Sequence, residues 1–152
     1  MDIQIITSIG EDRLQSSKSF GIMLNKILSE IKMLHWFVQD YNLHVIYGNL
    51  YDEVSDLFDE LQEEIIGTSR FQGGLIPNFQ ENIAIKPWDS PEFYGDDETI
   101  IEAFNSLTKT ITGILTSMEF ESYIKELKSG IINTRDAILT QINKAEYLAN
   151  MK

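Results

Sequence analysis

Phe20, Leu24, Ile27, Ile31, Leu34 and Val38 follow one another at spacings of three and four. That spacing is the repeat of an α-helix buried along one side. A second stripe follows at once: Ile46, Leu50, Val54, Leu57, Leu61 and Ile65. No credible alternating strand pattern competes, although IAIKPW suits a short extended piece. Such stripes must be buried helix on helix. The spacing predicts a first helix over about residues 16–40, with Ser16 or Ser17 as its cap, and a second over about 43–66, stopped by Gly67. The break at Gln39-Asp40-Tyr41-Asn42 is short, so the second helix should return antiparallel to the first.

Residues 67–96 read differently. They hold all three prolines and four of the nine glycines, together with Phe71, Leu75, Ile76, Phe79, Trp88, Phe93 and Tyr94. This is a long connection that packs down by its apolar members. A third helix is expected from about Asp97, where Asp96, Asp97 and Glu98 suit a positive helix start. Its stripe is Ile100, Phe104, Leu107, Ile111, Ile114 and Met118. A fourth is expected over about 119–150, with Ile124, Leu127, Ile131, Ile138, Ile142 and Ala145 facing inward and Gly130 inside it, marking a kink or a close contact. The expected fold is all-α: one domain over residues 1–152, a four-helix bundle with a long connection between helices 2 and 3.

Composition narrows the function. The formal net charge is −12, from 12 basic and 24 acidic residues, and no basic patch is segregated. A chain of this kind repels phosphate backbones, so direct DNA binding is disfavoured. There is no cysteine, which excludes disulfides and thiolate metal sites and suits a reducing cytoplasm. No apolar run is long enough to span a bilayer, and the start lacks the pattern of a secretory signal.

The chemistry-bearing residues lie in LHWFVQDYNLHVIYGNLYDEVSDLFDELQE, residues 34–63. His35 and His44 are the only histidines. At about 100° per residue, Asp52, Asp56, Asp59 and Glu63 fall on the side of the second helix opposite its apolar stripe. Four acids spaced four, three and four apart, with no basic residue between Lys32 and Arg70, repel one another. A bound cation or a partner's positive group relieves that repulsion; a plainly solvated face is the other reading. Imidazole nitrogen and carboxylate oxygen are the donors that non-haem iron sites use. Read alone, His35 beside the apolar face fits a hydrogen-bonded residue at the core edge, and Trp36 and Tyr51 fit packing.

Leu34-His35-Trp36 near the end of a first helix, His44 after the turn, Tyr51-Asp52-Glu53, and Asp59 with Glu63 form an ordered set. The set resembles the Dps-like branch of the ferritin-like proteins over about residues 20–66. A looser likeness is to small ferritin-like proteins encoded by bacteriophages. The resemblance implies a ferritin-like four-helix bundle. It implies a ferroxidase site between two antiparallel subunits, with His35 from one and Asp59 and Glu63 from the other. His44 would be a second-site metal ligand, and iron the metal handled. It further implies a dimer-based homo-oligomer, a dodecamer in that family, located in the cytoplasm or, for a phage protein, in the virion. The chain departs from the pattern in four places. His35 and His44 are closer in sequence, and Gly48 stands where a carboxylate is usual. The connection is different, and the basic N-terminal arm is missing. The ligand set is therefore incomplete by comparison. The alternative function is a non-catalytic oligomeric structural protein that keeps the bundle, such as a virion component. A carboxylate-bridged bundle of another activity ranks last, because its Glu-x-x-His pairs are absent.

Overall fold

In the computed structural model the described backbone covers residues 3–71, 95–125 and 130–151, and the described side chains are those of 17–67, 95–125 and 130–151. Among the described residues all regular structure is helical, with no strand. The helices are α1 (Ile3–Phe37), α2 (Tyr41–Phe71), α3 (Asp97–Leu115), α4 (Met118–Lys125) and α5 (Ile131–Ala149). α1 lies along α2, α2 along α5, and α3 touches both α5 and α1. No described helix is long and apolar enough to cross a membrane.

The stripes read from the sequence form the core. All six residues of the first stripe are buried. In α2 the stripe is turned slightly from its expected centre: Tyr47 and Phe58 are buried with Leu50, Val54, Leu61 and Ile65, whereas Ile46 and Leu57 sit at the margin. Large aromatic surface won that competition, since each such ring buries more area than an aliphatic side chain. The Tyr47 ring packs on Phe104 of α3 at 4.8 Å between centroids, tilted by 52°.

Several boundaries differ from the sequence reading. α1 starts far ahead of residue 16, and Ser17 is a buried interior residue rather than a cap. α2 starts at Tyr41, capped by Asp40, whose Oδ1 accepts from Leu43 N–H at 3.0 Å. It also runs past Gly67 to Phe71. An interior glycine costs only about 1 kcal/mol, which the packing of a long helix outweighs. The expected third helix ends at Leu115, so Met118 is exposed rather than part of its stripe. The expected fourth helix is two, α4 and α5, and Gly130 is the N-cap of α5 instead of an interior kink. Within this pair Ile124, Ile131, Ile138, Ile142 and Ala145 are buried as read; Leu127 lies outside the described residues. So does the connection over 72–94, with IAIKPW inside it. The start of α3 is as expected: Asp96 caps it, its Oδ1 accepting from Thr99 N–H at 2.8 Å, which holds the carboxyl below its usual range.

Arg135 closes the far end. It is 8% exposed, and its guanidinium donates to the Leu115 carbonyl (2.9 Å), to Glu121 and to Asp136 (2.7 Å), so one side chain ties α3, α4 and α5. Burial opposes its charge, but the two carboxylates outweigh that and its proton is held more tightly than usual.

Tyr47 yields a prediction. Its hydroxyl is buried with no hydrogen-bond partner among the described residues. Burial pushes the phenol above the ordinary tyrosine range, and the negative charge of Asp97 adds to the effect. The unfolded chain releases this proton near pH 10; the folded chain holds it to higher pH. Above about pH 10 the unfolded state therefore binds fewer protons, and stability falls as pH rises. Below that pH the contribution is whole. Tyr47→Phe should flatten this alkaline loss in urea titrations compared at pH 7 and above pH 10. At neutral pH it should be neutral or stabilising by about 1 kcal/mol, because it deletes an unpaired buried hydroxyl.

Candidate metal site on the first helical hairpin

The turn between α1 and α2 is three residues long, and it brings the two histidines face to face. Their rings stack with centroids 4.0 Å apart and planes 20° from parallel. Each ring reaches across the turn to the other's backbone. His35 Nδ1 lies 2.8 Å from the His44 carbonyl, and His44 Nδ1 lies 2.8 Å from the His35 carbonyl. A carbonyl oxygen only accepts, so Nδ1 carries the proton in both rings. In the neutral imidazole, Nε2 then keeps its lone pair in both. The His35 carbonyl belongs to the last turn of α1, where helical partners run out, and the His44 ring supplies the missing donor.

Gly48 makes room for this pair. A Cβ built there would stand 2.8 Å from His35 Cε1 and 2.9 Å from His35 Nδ1, closer than real Cβ contacts come. The helical wheel sets Gly48 beside His44, where it reads as a missing ligand. Folded, the glycine is the floor on which the His35 ring rests. His35 is thus hydrogen-bonded at the core edge, as its sequence position suggests.

Beside the pair, the Lys32 ammonium lies 4.4 Å from the centre of the Tyr51 ring and 5.7 Å from that of Trp36. Packing was the expected role for Trp36, yet its side chain is 53% exposed. Lys32 lies over its ring. Tyr51 is half-buried against the core, as expected.

The carboxylates stand elsewhere on the chain. Asp52, Asp56, Asp59 and Glu63 are all exposed, as the helical arithmetic requires. At about 1.5 Å per residue, Asp59 is some 22 Å along α2 from His44. Among the described residues no three His, Asp or Glu side chains gather closely enough to hold a metal ion. One chain therefore joins His35 to His44 and leaves Asp59 and Glu63 apart from both. Asp56 and Asp59 border a groove of about 590 Å³ between α1 and α2, with Lys18, Ile22 and Gln62 among its other walls. Gly21 lets the Gln62 side chain cross to α1, where its Nε2 donates to the Ser17 carbonyl at 2.7 Å. Ile22 is 46% exposed beside this groove.

One contact next to the histidine pair had no local signal in the sequence. Asp97, read as an acid favouring a helix start, accepts from the backbone N–H groups of Gln39 and Asp40 in the α1–α2 turn. Compared with known proteins, the chain matches no family model, no curated protein and no solved structure.

Proposed function

We propose that this chain is a Dps-like member of the ferritin-like four-helix bundles, one that binds Fe(II) between two copies of itself and oxidises it. What carries the reading is the pair of imidazoles whose Nδ1–H groups are both engaged by carbonyl oxygens, leaving both Nε2 atoms as donors. Metal-binding histidines are commonly held in this way, with the second nitrogen fixed by an outer partner. The row of exposed acids on the same hairpin supplies the harder ligands. His35, with His44 beside it, would come from one protomer, and Asp59 and Glu63 from the other. Carboxylate oxygen favours Fe(III) while imidazole also holds Fe(II), so the mixed set suits an ion that changes oxidation state. Fe(II) is the substrate, hydrogen peroxide or dioxygen takes its electrons, and Asp52 and Asp56 draw cations toward the site.

A second reading rests on the same pair. Each histidine is satisfied by the other's carbonyl and ring, so the two form a clasp that closes the hairpin without any metal. On that reading the protein is a non-catalytic oligomeric component, such as part of a virion, and the acidic row is an assembly or solvation surface.

The two readings part on one assay. Fe(II) and peroxide are mixed anaerobically with the protein and ferric absorbance is followed. The proposal expects oxidation well above the buffer rate, falling to the buffer rate in His35→Ala and in Asp59→Ala. Wild-type protein that oxidises no faster than buffer removes the ferroxidase. Sedimentation adds a second criterion: a closed symmetric shell formed by this chain alone argues against a role that requires other chains.

A further inference from the structure

Two amides in the α1–α2 turn have no helical partner. Val38 N–H donates to the Leu34 carbonyl and ends α1, and His44 N–H donates to the Asp40 carbonyl and begins α2. Gln39 N–H and Asp40 N–H lie between these two bonds. Both donate to one side chain, Asp97 in the first turn of α3, at 2.7 Å to Oδ1 and 2.8 Å to Oδ2. The partners are 58 and 57 residues apart in sequence. An ionised carboxylate that accepts two amide protons in this way makes charge-assisted bonds, stronger than neutral ones.

The turn so gripped is flanked by the two histidines, one four residues before Gln39 and the other four residues after Asp40. Their reciprocal bonds, both 2.8 Å, span the gap between the two helix ends, so their lengths depend on how far apart the turn holds those ends. We propose that Asp97 is the positioning residue of the histidine pair: by holding the turn from α3, it sets the spacing at which each Nδ1–H finds the other's carbonyl. It therefore fixes the tautomer that leaves both Nε2 atoms free. The inference rests on the pair being the donor-bearing element of the proposed function, but its structural part holds with or without a metal. Asparagine in its place offers a single acceptor oxygen, and alanine offers none.

The test uses the full-length chain, free of metal, with nitrogen-15 in its histidines. Long-range proton–nitrogen spectra identify which ring nitrogen carries the proton. Wild type should show a protonated Nδ1 and a bare Nε2 in both rings. Asp97→Ala should show tautomer mixing in at least one ring while helical circular dichroism is retained, and Asp97→Asn should fall between. Zn(II), a redox-silent probe, should bind more weakly to Asp97→Ala than to wild type, by at most the roughly 10–100-fold that losing a ligand's own outer partner costs. A general loss of stability would not alter tautomers in the folded fraction. Folded Asp97→Ala with both rings unchanged overturns the proposal. If that variant does not fold, Asp97→Asn decides: a changed ring supports the role, and two unchanged rings overturn it. Wild type that binds no Zn(II), with tautomers that still shift in the variants, counts against the metal reading and for the positioning role.

Discussion

Gly48→Ala is expected to break the histidine pair while leaving the helices folded. The new methyl group would sit 2.8 Å from His35 Cε1 and 2.9 Å from Nδ1, so the ring must move. That ring is no free end: it is held by its bond to the His44 carbonyl and by the stack on His44. Moving it costs a hydrogen bond, about 0.5–1.5 kcal/mol, and some strain, about 1–3 kcal/mol where packing is tight. Against that, alanine gains about 1 kcal/mol over glycine inside a helix. The net loss of stability should be about 0.5–3.5 kcal/mol, which a domain of ordinary stability survives. The loss at the site should be large. Fe(II) oxidation should drop toward the rate of His35→Ala, and the Nδ1–H signals of the pair should change. Activity at wild-type level in a folded Gly48→Ala protein would show that the stacked arrangement is not the working one.

Phe104→Ala should give the largest loss of stability. Phe104 is 1% exposed, and its ring supports Tyr47 across the interface between α3 and α2. Deleting a buried phenyl group costs about 3–5 kcal/mol, from lost transfer energy and the cavity left behind. A domain of this size has about 5–15 kcal/mol in all, so the variant should unfold at markedly lower urea concentration with little change in slope. Tyr47 lies about one helical turn from His44 and next to Gly48 in the chain. A partial loss of iron oxidation should therefore accompany the loss of stability, as the floor of the site loosens. A loss below about 1 kcal/mol would mean that the Phe104 ring does not pack against Tyr47 as described.

Much of the core was legible because burial follows helical periodicity. The first stripe from Phe20 to Val38 needed no tertiary information, and neither did the exposure of Asp52, Asp56, Asp59 and Glu63. The boundaries were less legible. Gly67 and Gly130 are both breakers by propensity, yet α2 passes through one and α5 begins at the other. A preference of about 1 kcal/mol is too weak to decide between those outcomes. The site was legible in part. The histidines declared themselves by chemistry, and the turn was read as short, but their mutual hydrogen bonds depend on how a turn of three residues aligns the two helix ends. Gly48 looked like an absence because a wheel shows one helix at a time, whereas the side chain that fills its space comes from α1. Asp97 had no reason to stand out, since an acid in a first helical turn is ordinary and its partners lie 57 and 58 residues away.

The proposed site joins the imidazoles of one protomer to Asp59 and Glu63 of another, and mixing two inactive variants separates it from a site within one chain. His35→Ala and Asp59→Ala chains are unfolded together, refolded together, and assayed for Fe(II) oxidation. With a site shared across a twofold axis, half of randomly formed dimers are mixed and each mixed dimer holds one intact site. Recovery to about a quarter of the wild-type rate is expected, from two proteins that are each inactive alone. A mixture that assembles as wild type does and remains as inactive as its components would contradict it.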